Sequence, residues 1–403
     1  MKLSVDVTKD VTWIGVLDKL IKTFDVVMTT EFGTTYNSYL INAEKKTIVE
    51  AVKDTFWEEY KEKVLSVVDP KEIEYIVVSH TEPDHSGSLK KLLELSPNAK
   101  IVCRISAKKF LMDQIGDKYE FIVVKDNDTL DLGNKTLKFI SAPNLHWPDS
   151  MFTYLEEDRV LFTCDAFGAH YCHDAIFNDV DLNEENYKKA YKYYFEVILQ
   201  PFSSFMLSAI EKIKNLEIDI IATGHGPVIR KNVKENIEAS KKLAEEALSI
   251  NQKNFVYMPF VSAYGNTKQV AEAIAEGIRS VGDIEVFVHD IEEASADEIS
   301  LYLTKASAIL VGTPTINQNI LPPVYTLMAL INPIRDKRKL CSGFGSFGWT
   351  GESRKLLPAI LTSLKLDYFK EGMFINFTLI EDRRQKCIDF GKEFGEEFLS
   401  RIK

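Results

Sequence analysis

Past Asn254 the chain falls into a regular alternation. Five β-rich runs, "FVYMPFVS", "IEVFVHD", "SAILVGT", "KLCSGFGS" and "MFINFTL", are separated by helical segments. Strands joined through helices lie parallel, because a parallel partner needs a long crossover. The 150-odd residues from Asn254 therefore predict one doubly wound parallel sheet with helices on both faces. The first 250 residues follow another rule. Short runs such as "VTWIGVLD", "TTYNSYLIN" and "KTIVEAV" follow one another across tight turns. Helical segments then intervene before "EYIVVS", "KIVCRIS" and, after three further β-runs, "IDIIAT". Mixed runs of this kind predict two sheets layered with helices outside. A polar helix free of Gly and Pro, Lys231 to Asn251, joins the halves. Two domains are expected, 1–250 and 251–403, since 403 residues exceed what one core usually organises.

Pro259 sits inside the first predicted strand of the second domain, which would be internal. Proline lacks a ladder donor, so either a bulge or one unfilled hydrogen-bond position is expected there.

Net charge is −11, which argues against a nucleic-acid partner bound through its phosphates. The first residues, "MKLSVDVTKDVTWIG", have no apolar core of signal-peptide length, and no uncharged stretch is long enough to span a bilayer. Five cysteines with no CxxC pair read as reduced thiols. A cytoplasmic protein away from membranes is expected.

The chain has only seven histidines. Two of them share the stretch "VVSHTEPDHSGSL" with two carboxylates, so that His80, Glu82, Asp84 and His85 crowd a loop after a predicted strand. His146 in "LHWPDS", Asp165 in "TCDAFG" and His225 in "ATGHGP" likewise follow predicted strands. Loops at strand ends can aim side chains at one point. Four imidazoles and three carboxylates are too many for one tetrahedral zinc. They suit a binuclear site with one bridging carboxylate, compatible with iron, manganese or zinc. Zinc hydrolases of the metallo-β-lactamase superfamily commonly carry H-x-H-x-D-H, whereas this chain reads H-T-E-P-D-H. A hard anionic oxygen in place of an imidazole stabilises ferric iron and favours redox iron over hydrolytic zinc.

In the second domain, Ser262, Ala263, Tyr264, Gly265, Asn266 and Thr267 close the first strand and open a helix. Hydroxyls and backbone N–H groups at a helix N-terminus bind a phosphate monoester. Neither a Walker loop nor G-x-G-x-x-G is present, which disfavours a dinucleotide. Thr313, Pro314, Thr315, Ile316 and Asn317 follow the third strand. Ser346, Phe347, Gly348, Trp349 and Gly351 follow the fourth, and Trp349 can stack on a planar ring. One phosphate and one ring describe FMN.

Together "HTEPDHSG", "LHWPDSMFTY", "DAFG", "GHG", "SAYGNT", "GTPTIN" and "FGWTGE" resemble the flavodiiron proteins (A-type flavoproteins) over essentially the full length. The resemblance implies an α/β and α+β chain: a metallo-β-lactamase-like αββα sandwich followed by a flavodoxin-like doubly wound parallel sheet. It implies that His80, Glu82 and His146 hold the iron nearer the flavin, that Asp84, His85 and His225 hold the other, and that Asp165 bridges. His170 and Tyr194 resemble residues that support these ligands, while His173 has no assigned part. Members of the family reduce O2 to water, or NO to nitrous oxide, with electrons passing through FMN to two irons. The family further implies a head-to-tail homodimer or dimer of dimers, and an external donor such as rubredoxin or reduced F420. A zinc hydrolase fused to a flavodoxin and a non-enzymatic flavin carrier are the competing readings, disfavoured by Glu82 and by the complete ligand set respectively.

Overall fold

The computed structural model describes residues 4–25, 28–249 and 253–402. Contacts divide the chain into two compact units, Met1–Glu246 and Ala247–Lys403. The expected boundary at residues 250 and 251 lies outside the described residues.

The first unit is built on two sheets. The seven-stranded one runs Val5–Asp6, Val11–Trp13, Tyr39–Ile41, Lys46–Val49, Ile73–Val77, Lys100–Arg104, Phe121–Val124; its pairing is antiparallel at first and parallel from Lys46–Val49 onward. The five-stranded one runs Thr129–Asp131, Thr136–Ser141, Met151–Leu155, Val160–Cys164, Ile220–Thr223, with only the last pair parallel. Successive side chains on a strand point to opposite faces, and the sequence exploits this. Tyr39, Val49, Val77 and Val102 of the first sheet pack with Phe139, Leu155 and Phe162 of the second. Their neighbours Leu40, Ile48, Ile76 and Ile101 face away, with Tyr60, Val64, Leu92 and Leu111 from helices. Ile140 and Leu161 back onto Met206, Ile210 and Ala244 of helices on the far side. Both faces of each sheet are thus covered, giving the expected αββα sandwich.

Some elements differ from the sequence-based expectation. "VTWIGVLD" and "TTYNSYLIN" each split, because the strands Val16–Asp18 and Thr34–Tyr36 leave the large sheet to pair with each other. Asn37 marks the second break: its buried amide bonds Trp13 and the Thr223 carbonyl instead of continuing a ladder. The run "KIVCRIS" ends at Arg104, and Ile105–Ile115 is a helix. Glu184–Tyr194 continues into a π-helical turn, Phe195–Leu199.

In the second unit the sheet order is Glu285–Asp290, Phe255–Phe260, Ala308–Gly312, Leu340–Phe347, and its core strands pair in parallel. The final strand is broken into Asp367–Tyr368 and Met373–Asn376, which pair with different stretches of Leu340–Phe347. Val256, Met258 and Phe260 face one helical layer, whereas Phe255, Tyr257 and Val261 face the other. Such double-sided burial is why these strands read as near-continuous apolar runs. Pro259 stays in register with His289 on one side. On the other side only Val256, Tyr257 and Phe260 pair with Ala308–Gly312, and Met258 and Pro259 are skipped. The strand thus loses two pairings around the proline on that side and has no bulge.

Candidate functional site

His80 follows the strand Ile73–Val77 at the end of the central parallel strands. Glu82 precedes Pro83, and Pro83–Ser86 is a single helical turn rather than the loop expected from sequence. Proline at the first helical position is pre-set for this turn, and the N–H groups of His85 and Ser86 close it on the Glu82 carbonyl. That turn points Asp84 and His85 the same way. From the second sheet, His146 follows Thr136–Ser141, Asp165 ends Val160–Cys164 and His225 follows Ile220–Thr223.

All seven side chains converge. His80 Nε2 is 3.1 Å from Glu82 Oε2 and 3.3 Å from Asp165 Oδ2. His146 Nε2 is 2.9 Å from the same Glu82 oxygen and 3.5 Å from Asp165 Oδ2. On the other side of Asp165, Oδ1 is 3.0 Å from His85 Nε2 and 3.5 Å from His225 Nε2. Asp84 Oδ2 lies 3.4 Å and 3.0 Å from those two nitrogens. One oxygen of Asp165 therefore faces each cluster. Ligands held about 2.1 Å from a metal stand roughly 3.0–3.4 Å apart in octahedral or tetrahedral arrangements, and these spacings match. Both oxygens of Asp84 and Oδ2 of Asp165 are buried without a hydrogen-bond donor. Buried carboxylate oxygens do not stay unpartnered without reason; two cations would satisfy them.

The charges agree. Burial opposes a proton on His80, yet Asp149, Glu82 and Asp165 outweigh it and push the imidazole up to about 10. His85 is likewise raised by Asp84 and Asp165 against its burial. Although burial favours their neutral forms, Glu82 and Asp165 are pulled below the usual carboxylate range, Glu82 by His146 and His80 and Asp165 by His85. In metal-free protein, protons on His80 and His85 take the place of the cations. The stabilisation from His80 is full below pH 6.5 and is lost as pH rises toward about 10. That from Glu82 and Asp165 is present above their ordinary range and is lost on acidification. The metal-free protein is therefore expected to melt at steadily lower temperature between those two His80 limits, and the metal-loaded protein to change little. Calorimetry across that range checks this; a rising melting temperature in the metal-free protein would sink the ion-pair account.

Tyr194 directs its hydroxyl to Asp165 Oδ1 at 3.3 Å, immediately before the π-helical turn, a distortion often found at functional sites. His170 is kept neutral by burial and by His225, and its Nδ1 lies 2.9 Å from Thr34 Oγ1. His173 Nε2 lies 3.0 Å from the Phe177 carbonyl. Three contributors escaped the sequence reading. Asp149 Oδ1 lies 3.5 Å behind His80 Nδ1 while its other oxygen accepts the Thr81 N–H. The Thr35 carbonyl lies 2.6 Å from His225 Nδ1. Glu50, raised to about 6 by burial, accepts the Ser79 N–H. Asp149 and Glu50 follow the same rule as the ligands, since each is an acid just beyond a strand or in a ligand-bearing loop.

In the second unit, three loops meet. Ser346 Oγ is 3.0 Å from Thr267 Oγ1, and the Ser346 carbonyl accepts the Thr315 N–H at 2.9 Å. Thr315 Oγ1 also bonds Ser353 at 2.6 Å. The loop after the first strand is thereby tied to those after the third and fourth. Gly265, at φ +81, opens the helix Asn266–Arg279, and a Cβ there would meet nothing within 4 Å. Ser262 Oγ takes the Lys268 N–H. Tyr264, which precedes Gly265, and Trp349, in the loop after the fourth strand, stand 87% and 85% exposed, so both rings are open to a planar ligand. Ala263 and Asn317 are exposed; Asn266, Ile316 and Gly348 are half-buried. Thr313, Pro314 and Phe347 are buried and shape the loops from below; Gly351, at φ +66, packs over the Phe347 ring. The donors and rings fit a phosphate-bearing flavin.

Two family descriptions match the chain: ODP family beta lactamase over residues 34–226 and Flavodoxin over residues 259–391. The chain is 39% identical to the flavo-diiron protein FprA2 of Clostridium acetobutylicum, covering 98% of this chain and 99% of that one. It is 36% identical to the anaerobic nitric oxide reductase flavorubredoxin of Vibrio vulnificus over 89% of this chain and 73% of that one. Among solved structures, rubredoxin oxygen:oxidoreductase from the anaerobe Desulfovibrio gigas superposes with a TM-score of 0.71 at 28% identity, covering 99% of both chains.

Proposed function

This chain belongs to the flavodiiron protein family, whose members are oxidoreductases, and we propose that it reduces O2 to water, NO to nitrous oxide, or both. The observation that carries this is Asp165, which presents one oxygen to each of two histidine–carboxylate clusters. His80, Glu82 and His146 would hold one iron, and Asp84, His85 and His225 the other. The loops at Ser262–Thr267, Thr313–Asn317 and Ser346–Gly351 would hold FMN. When bound, the two irons and FMN supply the electrons that reduce the gas.

What the protein groups do follows from their placement. Glu82, Asp84 and Asp165 supply three negative charges that offset those of two cations in a buried site. Asp149 and the Thr35 carbonyl fix the ring orientation of His80 and His225 from behind, as partners of metal-bound imidazoles do. Tyr194 places a hydroxyl proton at Asp165 Oδ1. Phe24 lies against His170 and His225, with ring centroids 4.4 and 5.4 Å away, and shields that flank from water.

No helix among the described residues is long and apolar enough to cross a membrane. A cytoplasmic setting, a head-to-tail homodimer or dimer of dimers, and an external donor such as rubredoxin or reduced F420 complete the proposal. O2 is favoured over NO as the physiological substrate, in keeping with protection of an anaerobe's cytoplasm. The test is anaerobic stopped-flow on protein whose metal and FMN have been counted. About two irons and one FMN per chain, with rapid flavin reoxidation by one gas, are expected. Zinc in place of iron, or flavin indifferent to both gases, would point back to a hydrolase or an electron carrier.

A further inference from the structure

His80 and His225 each have an oxygen beside Nδ1, from Asp149 and from the Thr35 carbonyl, and His85 has the Glu50 carboxylate in its neighbourhood, a residue with no part in the proposed ligand set. Glu50 ends the strand Lys46–Val49 in a left-handed backbone conformation, φ +62, and is 3% exposed. A buried, charged, non-glycine residue held there is costly and persists only when its surroundings over-determine it. They do. The Glu50 N–H donates to the Val77 carbonyl, its own carbonyl accepts from Ser38 Oγ at 2.8 Å, and Oε1 accepts the Ser79 N–H at 2.9 Å. The next residue, Ala51, donates its N–H to the His85 carbonyl at 3.0 Å. Glu50 is therefore tied both to the residue before His80 and to the segment that carries His85.

Two buried atoms nearby lack partners: Glu50 Oε2 and His85 Nδ1. One is an acceptor and the other a ring nitrogen able to donate. The Glu50 carboxylate, a His85 ring nitrogen and Cys164 Sγ lie within 4.8 Å of one another, and His85 Nε2 is already turned to Asp165 and Asp84. We infer that Glu50 is a positioning residue for His85: its free oxygen accepts a hydrogen bond from the Nδ1–H and so keeps Nε2 turned toward the metal pair. Cys164 is the other neighbour, but sulfur is a weak acceptor beside a carboxylate. Glu50 thereby does for His85 what Asp149 does for His80 and the Thr35 carbonyl for His225. This rests on the proposal that His85 is an iron ligand.

The test is anaerobic titration of ferrous ion into the metal-free full-length chain, with the two irons distinguished by Mössbauer spectra. In Glu50→Gln the side-chain oxygen can still accept the Ser79 N–H, while an amide donor now opposes Nδ1. One of the two ions is expected to bind roughly 10- to 100-fold more weakly with an altered spectrum, the other ion and the FMN content being unchanged. In a His85→Asn background the same substitution should add nothing. If Glu50→Gln does not fold, Glu50→Asn, a residue type that tolerates positive φ, should show the same one-ion loss. Wild-type binding of both ions by the variant would overturn the inference, as would an undiminished effect in the His85→Asn background. Equal weakening of both ions would also overturn it, because it would mark a structural role. A wild-type chain that takes up no iron would remove the diiron proposal itself, a result plainly different from those three.

Discussion

Asp165→Ala is expected to strip both metals at once, leaving well under one iron per chain where the native protein holds about two, with FMN retained. The reason is geometric. Oδ2 serves His80 and His146, Oδ1 serves His85 and His225, whereas Glu82 pairs only with the first two imidazoles and Asp84 only with the last two among the described residues. Loss of the bridge also leaves raised-pKa imidazoles facing one another without their shared counter-charge. Removal of a supporting group behind a ligand typically costs 10- to 100-fold in affinity, so removal of a ligand common to both ions should exceed about 100-fold. Gas consumption should fall to about 1% or less. His225→Ala, by contrast, weakens one cluster and leaves His80, Glu82 and His146 in place. Metal analysis after gel filtration decides the matter: two irons retained in Asp165→Ala would end the bridging assignment.

Gly277→Leu is expected to abolish FMN binding without touching the metals. Gly277 lies in the helix Asn266–Arg279, whose first turn belongs to the proposed phosphate site, and this helix packs on the C-terminal helix Glu381–Ile402. A Cβ at Gly277 would come 2.0 Å from the Ile388 carbonyl oxygen, and one at Gly391 would come 2.1 Å from that of Ile274. These are backbone atoms, so no rotamer change relieves the overlap. Overpacking typically costs 1–3 kcal/mol, and forcing two helices apart along their glycine seam should reach about 3 kcal/mol or more. Fluorescence of released flavin, with iron counted in parallel, reads both effects. Full FMN occupancy and an unchanged melting temperature would mean that the helices do not meet as described.

Where the sequence was informative, chemistry was local. The seven converging side chains, the proposed ligands, were legible because imidazoles are scarce and each follows an apolar run, so strand-end placement could be read residue by residue. The parallel sheet was legible because its strands are buried on both faces. What failed were features set by distant partners. Nothing near Asn37 announces that its amide will bond the end of a strand at Thr223, and so the run through it looked continuous. The short turn at Pro83–Ser86 was hidden because four residues are too few to display a helical period. Glu50 and Asp149 were missed for the same reason: their roles exist only once His85 and His80 have been brought in from other parts of the chain.

The two sheets of the first unit divide the ligands unequally but never keep a cluster to themselves. His80 and Glu82 follow one sheet and His146 the other; Asp84 and His85 follow one and His225 the other. Each ion would therefore act as a clasp between the sheets, reinforcing a seam held by side-chain packing and by hydrogen bonds such as that from Asn37 to the Thr223 carbonyl. An ion that binds only the closed sandwich adds its binding free energy to the fold. Iron supply then governs the lifetime of the protein as well as its turnover: under scarcity, chains emptied of metal would be the first to open and be degraded.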